Sequence, residues 1–186
     1  MLAIATAVAV VQVGFLASMI VGRAAILQDG REVFLEVRPV DPRDLLRGDY
    51  VVLDYNISQV ATELFVEAPS EEDRAGDASV YVRLKANADG LWQPIAARYG
   101  QAPEPAAAAD EIDIRGKAGT WHGDAASVSI DYGVERFYVP EGEGLAIERD
   151  MNVRPFRMKL AIDVDGTAQI KSFHDGETML YAEPLY

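Results

Sequence analysis

The chain opens with an unbroken apolar run: Met1 to Gly22 carries no charged side chain, and Thr6, Gln12 and Ser18 are its clearly polar members. At ~1.5 Å of rise per residue, a helix of this length reaches about 33 Å, enough to cross a hydrocarbon core of ~30 Å. Apolar residues surround such a helix on every side, so it lacks the wet face of a surface helix. The pattern predicts a transmembrane anchor over residues 1–22 and one acidic domain over residues 23–186. A cleavable signal peptide is the main rival and a buried soluble helix a weaker one. A signal peptide calls for a basic n-region, a shorter apolar core and a small-x-small cleavage site. This run lacks the first, exceeds the second and offers only Gly22-Arg23-Ala24 for the third.

Beyond the run the period changes to two. Arg31 to Val40 alternates, with Val33, Leu35 and Val37 on one face, and Tyr50 to Ser58 puts Val51, Leu53, Tyr55 and Ile57 on one side. That is the pattern of a half-buried strand. Val80–Lys85 leads through Asp89-Gly90 into Leu91–Ile95, and Phe156–Val164 meets Thr167–Phe173 across Asp165-Gly166. Asp-Gly pairs signal hairpins, because glycine accepts the positive φ that tight turns require. Ile112–Ala118, Ala126–Tyr132 and Thr178–Tyr181 complete the predicted strands. The fold class is mainly β, with one or two short helices, preceded by a single N-terminal transmembrane α-helix. Two stretches break the pattern: Glu63–Asp77, an acidic loop with a short helix expected before Pro69, and Gln101–Asp110, a Pro/Ala-rich surface loop with no expected part in chemistry.

The formal charge of −13 falls entirely after Gly22. Nucleic acid is an unsuitable partner, since binding it needs a cationic footprint. Arg23, Arg31 and Arg38 follow the helix, and by the positive-inside rule they favour a cytoplasmic domain. The absence of cysteine leaves the compartment open.

The segment Pro39–Tyr55, PVDPRDLLRGDYVVLDY, is the most distinctive. Much of it has a structural reading: Asp41 caps a short helix, Pro42 takes its first position, and Gly48 ends it before the strand of Leu53 and Tyr55. Arg43, Arg47, Asp49 and Tyr50 are left over. They form either a surface ion-pair network of little energetic weight or a recognition turn in which an arginine grips a carboxylate or phosphate. The run Gly48 to Tyr55, GDYVVLDY, matches letter for letter the signature of the GDYXXLXY protein family, and Tyr132–Gly144, YGVERFYVPEGEG, resembles a second stretch of that family. The resemblance covers most of the chain, the anchor included. It implies a bacterial membrane-anchored protein acting beside multi-pass membrane proteins, with no catalytic residues to carry over. A fainter likeness to signal peptidases rests on the Arg47-Gly48-Asp49 turn opening a strand, but no Ser, Thr or Cys precedes it where their nucleophile would stand.

In the second stretch Glu135 and Arg136 are candidate binding residues. Pro140 starts a short helix in which Glu141 and Glu143 occupy the first turn. A catalytic carboxylate pair, Glu135 with Glu141 or with Asp49, is the alternative. His122 and His174 are expected in exposed loops; no metal, phosphate-loop or cofactor motif occurs, so neither a metal nor a cofactor is expected. The expectation is therefore a non-catalytic accessory or binding module of the cell envelope, single-pass in the inner membrane. Its domain is expected in the periplasm, on the family resemblance against the charge argument. Integral membrane proteins are the expected partners, and small residues Gly14, Ser18 and Gly22 would let α-helices approach closely. An envelope hydrolase is the competing expectation.

Overall fold

In a computed structural model of the chain, residues 2–38, 50–123, 125–138, 150 and 154–184 are described. The apolar run folds as α1, Leu2–Asp29, which continues past the expected end at Gly22 and takes in Arg23, Gln28 and Asp29. This extension packs against the β-structure. Leu27 is 1% exposed, Lys171 Nζ donates to the Leu27 carbonyl at 2.9 Å, and Arg23 pairs with Glu183 at 3.3 Å. A helix's last carbonyls lack intrahelical partners, so an ammonium there satisfies one and complements the dipole. Gly30 N–H closes on Ile26 O at 2.9 Å, and the first strand starts at the next residue. Before Arg23 the picture reverses: Val8, Val11, Phe15 and Met19 are all more than half exposed. Among the described residues, α1 is the one helix long and apolar enough to cross a bilayer.

The strands are β1 (Arg31–Arg38), β2 (Tyr50–Val52), β3 (Asp54–Tyr55), β4 (Gln59–Ala61), β5 (Ser79–Ala86), β6 (Trp92–Tyr99), β7 (Glu111–Ala118), β8 (Ser127–Asp131), β9 (Arg136–Tyr138), β10 (Phe156–Ile162), β11 (Ala168–Asp175) and β12 (Thr178–Ala182). They form a five-stranded sheet in the order β12-β11-β10-β1-β3, a second in the order β4-β8-β7-β5-β6, and a two-stranded sheet of β2 with β9. The strand pairings are antiparallel. Both expected Asp-Gly hairpins are present, with Gly90 at φ +74° and Gly166 at +82°.

Alternation explains the packing. Val33, Leu35 and Val37 of β1, Phe156, Met158 and Leu160 of β10, and Val80, Val82 and Leu84 of β5 turn into one cluster shared by the sheets. Each such side chain contributes about 1.5–3 kcal/mol on burial. The sheets are also tied by backbone: Arg115 N–H donates to Gly166 O at 2.8 Å.

Several local expectations change. The one strand expected over Tyr50–Ser58 is divided into β2 and β3, because its two halves pair with different strands. The helical turn expected before Pro69 comes after it, as α2 (Glu71–Arg74), with a 3-10 turn at Thr62–Leu64 ahead of the proline. Ser70 and Asp73 form a capping box, which fixes the start of α2. His174 is not an exposed loop residue: it lies on β11 and is 8% exposed. Ser172 Oγ sits 2.7 Å from its Nε2, and burial together with the Lys159 charge pushes the imidazole below its ordinary pKa. His122 is exposed, as expected.

The Pro/Ala-rich segment is held more firmly than its composition suggests. Arg83 of β5 is only 5% exposed. Its guanidinium grips Asp113 through Nε at 2.8 Å and Nη2 at 2.9 Å. It also donates to the carbonyls of Pro103 and Pro105 at 2.5 Å each. Prolines donate no backbone hydrogen bond, so this buried arginine supplies the donors that fix the segment.

Candidate functional site

The site begins where the two distinctive stretches meet. β2 and β9 pair in the register Tyr50↔Tyr138, Val51↔Phe137 and Val52↔Arg136. Leu53 N–H extends the ladder, donating to Glu135 O at 2.8 Å. The chain then changes partner: Asp54 and Tyr55 pair with Arg38 and Val37 of β1. Ser58 closes a turn by accepting the Tyr55 N–H on its Oγ at 2.9 Å, and β4 follows in the second large sheet. Residues 50–61 thus pass through all three sheets in turn. A switch of partner in so few residues requires inward side chains that anchor it, and Leu53, Tyr55 and Ile57 are at most 2% exposed.

Two phenols clasp this seam from opposite sides. Tyr55 Oη donates to Val134 O at 2.6 Å, and Tyr132 Oη donates to Ile57 O at 2.9 Å. Each signature stretch therefore puts an aromatic ring into the core; Tyr55 satisfies a buried carbonyl of the second stretch, and Tyr132 satisfies one two residues beyond the first, each of which would otherwise lose its hydrogen bond to water. Burial, reinforced by the Glu135 charge, raises both phenol pKa values well above ordinary. Both hydroxyls are therefore donors at neutral pH.

Two carboxyls stand at the turn between β8 and β9. Glu135 Oε1 accepts the Tyr132 N–H at 2.6 Å, and Asp131 Oδ1 accepts the Gly133 N–H at 2.8 Å. Gly133 has φ +77°, which a glycine adopts without strain and which closes this turn. The two carboxyls face the same turn, close enough to shift one another's titration. Burial is the chief reason that Glu135 rises to about 7, with the Asp131 charge adding to it. Asp131 is held below the ordinary carboxylate range by the Glu135 hydrogen bond and the Gly133 N–H, with smaller help from Arg136 and Lys117. Of the two, Glu135 is therefore the one that keeps its proton longer as pH rises towards neutral.

This arrangement gives a pH prediction. Glu135 has a folded pKa near 7, above the ordinary value of about 4.3 for the unfolded chain. Its stabilising contribution is complete at low pH and is lost as pH rises through the folded pKa. Screening by solvent at this half-buried site reduces the effect to on the order of 1–2 kcal/mol. Denaturation midpoints should therefore fall between about pH 5 and about pH 8, and Glu135→Gln should flatten that slope. An unchanged slope in the variant would refute the proton assignment.

The remaining expected site residues divide clearly. Leu53 and Tyr55 are core residues of the seam, and Glu135 and Arg136 flank it. Tyr50 enters through its backbone register alone. Arg43, Arg47, Asp49, Asp41, Pro42, Gly48, Pro140, Glu141 and Glu143 lie outside the described residues. The carboxyl found beside Glu135 is Asp131, a residue that sequence reasoning missed although it sits four positions away. Among the described residues, no group of three or more His, Cys, Asp or Glu side chains is placed to hold a metal ion.

The model of the GDYXXLXY protein family matches residues 12–173 of this chain. The chain belongs to the GDYXXLXY family. The match begins inside α1 and ends on β11, so the polar end of the helix and both strands of the seam are within it. No curated protein and no solved structure matches the chain.

Proposed function

We propose that this member of the GDYXXLXY family is a non-catalytic binding module of the bacterial cell envelope. In this reading α1 holds it in the inner membrane, with the β-structure on the periplasmic side beside integral membrane proteins. The observation that carries the reading is the junction at Gly30. An all-round apolar helix runs into β1 with one residue between them, while its last turns are locked by Leu27, Lys171 and Arg23. A helix built into the β-structure in this way favours a retained anchor over a removed leader. The apolar surface of residues 4–21 then faces lipid or other helices.

The binding role rests on the seam. Family membership and the paired stretches concentrate the distinctive residues at β2 and β9, where Val52 and Arg136 are exposed on neighbouring strands. Asp131 and Glu135 are engaged by backbone N–H groups, a geometry that serves the turn and leaves hydrolysis no stronger support. Fusions of alkaline phosphatase and of green fluorescent protein after Tyr186 test the orientation. Phosphatase activity without fluorescence is expected; the reverse result would put the domain in the cytoplasm. Purification of the chain in mild detergent should then retain an integral membrane protein in stoichiometric amount, and recovery of the chain alone at native expression would count against the accessory role.

A further inference from the structure

We infer that the end of the first sheet beside α1 rests in the lipid headgroup layer, with Val164 as its apolar tip, so that the β-structure touches the bilayer at a second point. This inference rests on the reading of α1 as a membrane span. It starts from strand direction. β1 begins at Arg31, directly after the helix, and Arg31 is opposite Ile162 at the end of β10. Ala168, which opens β11, is also opposite Ile162. Ala182 at the end of β12 is opposite Ser172, and Glu183 beyond it reaches Arg23 of the helix. The β10–β11 turn and the end of β12 therefore both lie on the side from which the helix arrives.

The level of that end can be placed on the helix. Gly22, Ala25 and Ile26 share one groove of about 710 Å³ with Ile162 and Val164, and Ala107 of the Arg83-held segment lines it as well. Gly22 is the last residue of the uncharged run. From Gly22 to Ile26 a helix rises ~6 Å. A bilayer of ~40–45 Å around a hydrocarbon core of ~30 Å leaves roughly 5–7 Å of headgroup layer on each side. The groove thus spans the depth of one headgroup layer.

Val164 projects at that depth. Its side chain is fully exposed, at 102%, although the turn carrying it is fixed: Asp163 Oδ1 accepts the N–H groups of Asp165 at 3.0 Å and Thr167 at 2.7 Å. A single exposed valine on a soluble surface needs no explanation. Here it stands on a fixed turn beside the helix exit, where an apolar side chain gains by leaving water. The neighbouring cations already have partners. Arg23 is paired with Glu183, and Arg31 Nη1 donates to Glu111 O at 2.8 Å. Exposed Asp29 and Asp165 also stand at this end, so it suits the hydrated headgroups of zwitterionic lipid, where a carboxylate keeps its water, rather than the hydrocarbon beneath them. The occupant of this face is the bilayer surface itself.

The chain has no cysteine, so single-cysteine variants of the full chain can carry an environment-sensitive fluorophore in phosphatidylcholine vesicles. Four positions suffice: Phe15→Cys in the span, Ala24→Cys at the helix exit, Val164→Cys at the tip and Glu72→Cys at the far end. Glu72 lies beyond Ala118, at the opposite end of β7 from Glu111 and about 23 Å away by strand rise. Lipid-borne nitroxides near the headgroups should quench the probe at 164 to within about twofold of the probe at 24, and leave the probe at 72 unquenched. Quenching at 15 by deep nitroxides, with 164 behaving like 72, would overturn the second contact and keep the anchor. No quenching at 15 would overturn the anchor and the inference with it.

Discussion

Replacing Tyr55 with alanine is expected to destabilise the protein by about 3–5 kcal/mol. Its ring is fully buried, with 0% exposure, at the point where residues 50–61 pass between sheets. A folded domain of this size has only about 5–15 kcal/mol to lose, so Tyr55→Ala should leave a substantial unfolded fraction. Tyr55→Phe keeps the ring and deletes the hydroxyl that holds Val134 O. It should cost about 1–3 kcal/mol, the penalty of an unsatisfied buried carbonyl. Tyr132→Phe should behave alike through Ile57 O. Because both hydroxyls cross one seam, the double variant should depart from additivity by about 0.5–3 kcal/mol. Urea denaturation of the detergent-solubilised chain, followed by the fluorescence of Trp92 and Trp121, reads these differences. Full additivity would mean that the two contacts are independent.

The second large effect is expected at Arg83. Arg83→Met should cost about 3–5 kcal/mol, because it strands a partly buried Asp113 carboxylate and leaves two proline carbonyls without donors. Asp113→Leu on that background should recover part of the loss, since a buried ion pair replaced by apolar groups is often neutral. Protease cutting within residues 101–110 should appear in Arg83→Met and remain slow in the parent chain. If denaturation midpoint and cleavage both stay unchanged, Arg83 does not hold the segment.

What could be read from the letters followed the strength of the local signal. β1 and the β10–β11 hairpin were legible because strict alternation and an Asp-Gly pair both speak locally. Of the four residues placed on the apolar face of residues 50–58, Leu53, Tyr55 and Ile57 are core residues. The division of that stretch was not legible, because the sheet to which Val52 and Asp54 belong is decided by distant partners, β9 and β1. Tyr132 lay inside a recognised stretch, yet its reach to Ile57 depends on tertiary closure over 75 positions. The burial of His174 was hidden for a similar reason: a histidine before Asp175 and Gly176 reads as a turn residue, whereas the turn starts two positions later. Nothing in the strand pattern of Val80–Lys85 marks Arg83 as buried. Its carbonyl partners at Pro103 and Pro105 come from a segment whose composition suggests only a loop.

At the candidate site, the sequence brought Glu135 and Arg136 to notice but not Asp131; the acid partners it named, Glu141 and Asp49, lie outside the described residues. Asp131 precedes the stretch and was read as part of a strand. Its carboxylate turns back because Gly133 permits the positive φ that reverses the chain.

The central claim is that the two signature stretches form one seam in one register, and a cross-strand disulfide tests it most directly. Val52 and Arg136 are opposite each other. Because the hydrogen bond passes through the next pair, Leu53 with Glu135, they form a non-hydrogen-bonded pair. Such pairs have Cα atoms about 4.5 Å apart, within the range a disulfide requires. In the cysteine-free chain, Val52→Cys with Arg136→Cys should crosslink within the molecule almost completely under mild oxidation. Val52→Cys with Gly133→Cys should stay reduced. Failure of the first pair, or equal crosslinking of the second, would contradict the seam.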